Sequence, residues 1–156
     1  MDIAEFLRSI KNIEWFSKSG CPSDKYLVVQ SLFEAYDDWN DKYLKVWQPK
    51  TQHLEKTAQS AMGDNWIDEC FSIITSELGD LLWNKWEQFI ERQDLYEEAG
   101  LDNEFLDMVI RDLSWAYIEQ HLNEGVFFTS LLQIYRDGYF PCAWEDTYPE
   151  GKAVVI

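Results

Sequence analysis

The chain has 156 residues, and its 29 Asp or Glu outnumber 13 Lys or Arg to give a formal net charge of −16 at neutral pH. Spread over roughly 8,000 Å² of folded surface for a chain of this size, that charge repels phosphate and anionic headgroups. It argues against nucleic acid and membrane as partners. Apolar residues make up 46% of the chain, including 8 Trp, 8 Tyr and 9 Phe, which excludes disorder driven by charge. An acidic shell around an aromatic core is expected, and a partner should be basic.

One domain over 1–156 fits this length. Cys21, Cys70 and Cys142 are odd in number and form no paired or zinc-like spacing, so reduced thiols are expected. The N-terminus lacks a basic segment followed by an apolar run, and no stretch reads as a membrane span. A cytoplasmic protein is expected, with no cofactor.

In chain order, residues 2–16 suggest a first helix carrying Ile3, Phe6, Leu7, Ile10 and Ile13. After Ser19-Gly20-Cys21-Pro22, Ser23 or Asp24 caps a predicted second helix that runs to about Trp47. Its apolar arc holds Val28, Val29, Leu32, Tyr36, Trp39, Tyr43 and Val46. Pro49 suits the first turn of a third helix ending near Gly63. Asp64 then caps a long fourth helix with Ile67, Phe71, Ile74, Leu78, Leu81 and Leu82 on one face.

The phase of that face drifts, with Lys85 on it and Trp83 and Trp86 off it. A kink or a change of packing partner is expected near 79–85. A fifth helix covers about 102–122, with Phe105, Val109, Leu113 and Ala116 at the centre of its arc. A sixth covers about 126–137 and stops at Gly138. Residues 139–156 read as a β-hairpin packed on the helical body 1–138. The fold class is mainly α: an irregular bundle of five to six helices with a small C-terminal hairpin.

Few constellations suggest chemistry. Asp37-Asp38-Trp39-Asn40-Asp41 has the D-D-x-x-D spacing that holds magnesium diphosphate in isoprenoid synthases, but a second metal motif is missing. Glu34, Asp37, Asp38 and Asp41 form one acidic face, suited to solvent or to a partner. Glu77-Leu78-Gly79-Asp80-Leu81-Leu82 resembles a stretch of all-α nucleotide pyrophosphohydrolases. That family's metal site also uses an upstream E-x-x-E, which is absent: Glu55 is followed three residues later by Ala58.

His53 and His121 sit in different predicted helices and match no catalytic or metal spacing. Asp112 lies on the flank of an apolar arc, where an indole N–H or an Arg would hold it. Trp39 and Trp47 fit the core arc of their helix, whereas Trp83, Trp86 and Trp144 do not.

Charge is uneven along the chain. Residues 1–78 carry net −5 and residues 79–156 net −11. The densest base-free run is 94–107, containing Asp94, Glu97, Glu98, Asp102, Glu104 and Asp107. Acids at a helix start favour the dipole, which accounts for Asp102 and Glu104 but not for Glu97 and Glu98.

The tail Gly138-Tyr139-Phe140-Pro141-Cys142-Ala143-Trp144, followed by Tyr148-Pro149-Glu150-Gly151-Lys152-Ala153-Val154-Val155-Ile156, resembles the ending of bacterial immunity proteins from polymorphic-toxin and contact-dependent inhibition systems. Ala143 stands where Gly is usual. The resemblance implies a non-enzymatic protein that neutralises a cognate toxin; the charge adds that the toxin is basic, a nuclease for example. Glu97, Glu98, Asp102, Glu104 and Asp107 are the first candidates for partner binding. Glu34, Asp37, Asp38 and Asp41 are the second. No residue is assigned to catalysis or metal binding. The alternatives are a metal-dependent nucleotide hydrolase using Glu77 and Asp80, and a broad acidic mimic of nucleic acid.

Overall fold

The computed structural model describes residues 2–17, 24–39, 44–93, 101–145 and 151–156. It is mainly α, with a small sheet that includes the C-terminal strands. The helices are α1 (Ile3–Lys11), α2 (Leu32–Asp38), α3 (Leu44–Met62), α4 (Trp66–Gln93), α5 (Asp102–Leu122) and α6 (Phe127–Arg136). The strands are β1 (Tyr26–Val28), β2 (Pro141–Trp144) and β3 (Ala153–Val155).

The Asp2 side chain caps α1 by accepting the Glu5 N–H at 2.8 Å. Phe6, Leu7 and Ile10 of α1 are buried. The chain then turns through Phe16, whose φ of 57° is strained for a bulky side chain. That conformation is held from two sides. The Phe16 N–H donates to Tyr135 O at 2.9 Å, and its buried ring lies 5.4 Å from that of Phe89.

The predicted helix from residue 24 to 47 is corrected. Its first part is β1, which pairs in parallel with β3 in the register Tyr26↔Ala153 to Val28↔Val155. Two shorter helices follow. Tyr26-Leu27-Val28-Val29 is β-prone as well as helix-compatible in spacing, and the edge of β3 decides the outcome. Ser31 and Glu34 then form a cap of the capping-box type, reaching one residue further back, that starts α2. Ser31 Oγ accepts the Glu34 N–H at 3.1 Å, and Glu34 Oε2 accepts the Gln30 N–H at 3.2 Å.

Pro49 is also corrected, since α3 begins at Leu44 and contains it. The proline therefore removes the hydrogen bond that the Lys45 carbonyl would otherwise accept.

Residues 66–93 form one unbroken helix. Its buried ridge runs Cys70, Ile74, Leu78, Leu82, Trp86 and Phe89. A ridge stepping by fours winds about 40° per step around the helix. The stripe therefore leaves the face marked by Ile67 and Phe71 and carries Trp86 into the core.

The central element is α5, with Phe105, Met108, Val109, Leu113, Ala116, Tyr117 and Ile118 all buried. It packs against α3, α4 and α6, which is why it is buried on most sides and only weakly amphipathic. α6 stops at Gly138, which takes φ 97°, a conformation open to glycine.

The sheet order is β1-β3-β2, with β3 in the middle and antiparallel to β2. An irregularity between Pro141 and Ala143 turns the Cys142 thiol onto Val154 O at 3.2 Å. Phe140 and Ile156 exchange backbone bonds of 2.7 and 2.9 Å. Phe140 then closes an aromatic cluster. Its ring lies 5.2 Å from Phe105, 5.5 Å from Trp86 and 5.7 Å from Tyr135. Rings of this size each contribute about 1.5–3 kcal/mol on full burial. Cys70 and Cys142 are free and buried, while Cys21 lies outside the described residues.

Candidate interaction surface

A surface for a charged partner is built from acids that the fold does not use internally. Among the described residues Asp112, Glu119 and Asp137 are buried, and each accepts from neutral donors. Asp112, 1% exposed, accepts the Trp47 indole N–H at 3.0 Å and the Tyr135 hydroxyl at 3.1 Å. The indole expected to hold Asp112 is thus Trp47. Burial first, and then the Asp112 charge and its bond, push the Tyr135 phenol well above its usual pKa.

Glu119 reaches from α5 to the start of α6, where Val126 offers no side-chain cap. It accepts the Phe128 N–H at 3.1 Å, the Thr129 N–H at 3.0 Å and the Thr129 hydroxyl at 3.1 Å. Asp137 accepts the Tyr26 hydroxyl at 2.6 Å and the Gln133 side-chain amide at 2.9 Å, with Lys25 Nζ at 3.8 Å. Burial, followed by the bond to Asp137, raises the Tyr26 pKa far above that of a free phenol.

The sequence-expected partner residues have three fates. Asp41, Glu97 and Glu98 lie outside the described residues. Asp102, Glu104 and Glu34 are engaged with or buried in the fold. Asp102 Oδ1 accepts the Trp86 indole N–H at 2.6 Å, which ties the start of α5 to α4. Glu104 is half-buried, and its Oε2 is sealed from solvent without a hydrogen-bond donor. Glu34 completes the α2 cap. Asp37 and Asp107 are exposed, and Asp38 is half-buried. The two acid groups lie on elements with different neighbours: α2 packs on β2, and α5 on α3, α4 and α6.

Glu77 and Asp80 are exposed on α4, with Glu77 Oε2 3.6 Å from Lys11 Nζ. Leu78 and Leu82 between and beside them are core residues. Among the described residues, no three His, Cys, Asp or Glu side chains gather where they could hold a metal ion. His53 Nε2 lies 3.1 Å from Glu124 Oε2. His121 Nδ1 lies 3.3 Å from the Tyr117 hydroxyl, and its ring 5.0 Å from that of Trp66. The indoles left off the predicted core arcs separate as well. Trp86 is buried, Trp144 is half-buried and donates to Gly151 O at 2.9 Å, and Trp83 stays 42% exposed.

Surface clefts are shallow and mixed in character. One of about 380 Å³ lies between α3 and the α5–α6 turn, lined by Lys50, His53, Glu119, Glu124 and Phe127 among others. Another, of about 350 Å³, is lined by Trp39, Trp47, Trp115, Phe71 and Arg111 with Gln48 and Thr51.

α4 presents acids that sequence reasoning did not consider for partner binding. Its exposed charged residues are Asp68, Glu69, Glu77, Asp80, Glu87 and Glu91, with no exposed Lys or Arg among its described side chains. The signal was present in the sequence as i, i+3, i+4 and i+7 spacing opposite the leucine ridge. Among the described residues, no helix is long and apolar enough to cross a membrane. Compared with known proteins, the chain matches no family model, no curated protein and no solved structure.

Proposed function

We propose that the chain is a cytoplasmic immunity protein that binds and neutralises a basic protein toxin, with a nuclease as the best-fitting class, and does no catalysis itself. The observation that carries this reading is where the charge resides. The buried acids Asp112, Glu119 and Asp137 accept from indole, phenol, hydroxyl and amide donors, while acids such as Asp37, Asp80, Glu87 and Asp107 are exposed. The excess of acid over base is therefore a surface property that the core does not require. A nuclease must present Lys and Arg to phosphate, and an acidic protein that occupies that face excludes the substrate. Steering by opposite charge speeds the encounter.

The tail that resembles immunity proteins acts here through packing. Phe140, Cys142 and Ala143 are buried, and Trp144 is tied to Gly151. The resemblance therefore bears on architecture, and the contact surface is sought among the exposed acids.

The test is co-expression with the product of the reading frame immediately upstream of this gene, expected to end in a basic toxin domain, followed by stopped-flow association of the purified pair. Growth should be rescued, and the association rate should fall at least about tenfold between low and high salt. Failure to rescue, or a rate indifferent to salt, overturns the reading.

A further inference from the structure

The outer face of α4 combines three features. Glu69, Ile73, Ser76, Glu77, Asp80, Trp83, Asn84, Glu87 and Glu91 are all exposed and fall on one side of the helix. At 1.5 Å per residue this strip is about 33 Å long. Within it Trp83 is 42% exposed and Ile73 41%. The Trp83 N–H donates to Glu87 Oε1 at 2.6 Å, which favours one orientation of the ring. One turn before it, Gly79 carries no side chain, and one built there would meet nothing within 4 Å.

We propose that this face of α4 is where a basic protein partner docks, with an arginine or lysine of that partner seated on the Trp83 ring between Asp80 and Glu87. The proposal rests on the partner being basic, as in the function proposed above, and it moves the contact from α2 and the start of α5 to α4. The physical case has three parts. An exposed indole is a high-value anchor at interfaces, and tryptophan is enriched where truncation costs most. A guanidinium or ammonium is drawn to its face. The bond to Glu87 biases the ring towards one orientation in advance, which lowers the ordering cost of binding, and leaves the second Glu87 oxygen to accept from the incoming cation.

The same charges identify the occupant. A second copy of this chain would bring two strips of acid together, whereas a basic face complements them. Within α4 the like charges at Glu87 and Glu91, one turn apart, oppose the helix, and Glu91 near the C-terminus opposes its dipole. A basic partner relieves both.

The experiment uses the ¹⁵N-labelled chain and a short arginine-rich helical peptide, with a glutamine-substituted twin as control. The Trp83 indole N–H resonance and the α4 amides should shift saturably with the arginine peptide and not with the control. Trp83→Ala should weaken binding about thirtyfold. The pair Asp80→Asn and Glu87→Gln keeps an oxygen for the indole bond and should weaken binding about tenfold. Asp37→Asn with Asp107→Asn should change it less than about threefold. Shifts confined to α2 and α5, no saturable binding, or a homodimer in sedimentation that Trp83→Ala dissolves would each overturn the proposal. Toxin rescue that survives the α4 variants overturns this surface alone. Peptide binding on α4 without any toxin being neutralised supports the surface and overturns the immunity reading.

Discussion

Trp47 and Asp112, on α3 and α5, are joined by an indole N–H to carboxylate bond of 3.0 Å inside the core, and Tyr135 of α6 donates to the other oxygen at 3.1 Å. One carboxylate therefore links three helices. Removing it leaves two buried donors unsatisfied. Asp112→Ala should lower unfolding free energy by about 3–5 kcal/mol, and Tyr135→Phe by about 1.5–3 kcal/mol. Urea midpoints on the three proteins check the order. Equal losses for the two variants would mean that the carboxylate is not the hub.

Alkaline pH should destabilise the fold. Tyr26, Tyr117, Tyr135 and Cys70 all have pKa values raised above their usual ones, with burial the largest cause in each. The Cys70 thiol is pushed up to about 11, with the Glu69 charge adding to burial. In the unfolded chain these groups lose protons from about pH 9 for the thiol and about pH 10 for the phenols, while the folded protein still holds them. Stability is therefore fully present below those values and declines as pH rises towards the folded pKa values. Urea midpoints should fall between about pH 8 and about pH 10.5. Tyr135→Phe, less stable at every pH, should show a shallower decline.

Glu119 and His53 offer a contrast on neighbouring ground. Glu119 supplies the cap that Val126 lacks, through three bonds at 3.0–3.1 Å. Glu119→Ala should cost about 2–3 kcal/mol. The His53–Glu124 pair is exposed, and His53→Ala should cost under about 1 kcal/mol. Thermal melts of the two variants separate these values. A similar Tm for both would place α6 capping elsewhere.

The acids expected to bind a partner should divide in the same way. Asp102→Lys breaks the Trp86 indole bond and should lose about 1.5–3 kcal/mol of stability. Asp37→Lys and Asp107→Lys alter exposed positions and should stay within about 0.5 kcal/mol of the parent. Any loss of partner binding in Asp102→Lys must therefore be compared with its melt before it is counted as recognition.

How much was legible in the sequence varied with the element. α5 was readable because Phe105, Val109, Leu113 and Ala116 repeat at helical spacing, and all four are buried. The stop at Gly138 was readable because a left-handed backbone there favours glycine. β1 was not, because the partner that makes Tyr26–Val28 a strand lies at the far end of the chain. Trp86 escaped the predicted core because the α4 ridge winds by fours, which a straight stripe does not follow.

The candidate surface was legible only as charge. Spacing placed Trp83 off the core, and it is exposed. It could not show that Asp102 is engaged by the Trp86 indole, a donor on another helix; the Ser31-x-x-Glu34 cap was in the sequence but fell inside a predicted helix.

β3 lies between β1 and β2, yet it is the last of the three to be synthesised. β2 meets β3 across a short connection, whereas β1 reaches it from the other side of α2 to α6 in the sequence. The pairing of β1 with β3 is thus a strongly non-local contact, the slow kind of step in folding. Ala153, Val154 and Val155 are buried in the same core as the helices. With β3 out of place, β1 and β2 would have no strand between them, and the core surface that Ala153, Val154 and Val155 cover would lie open.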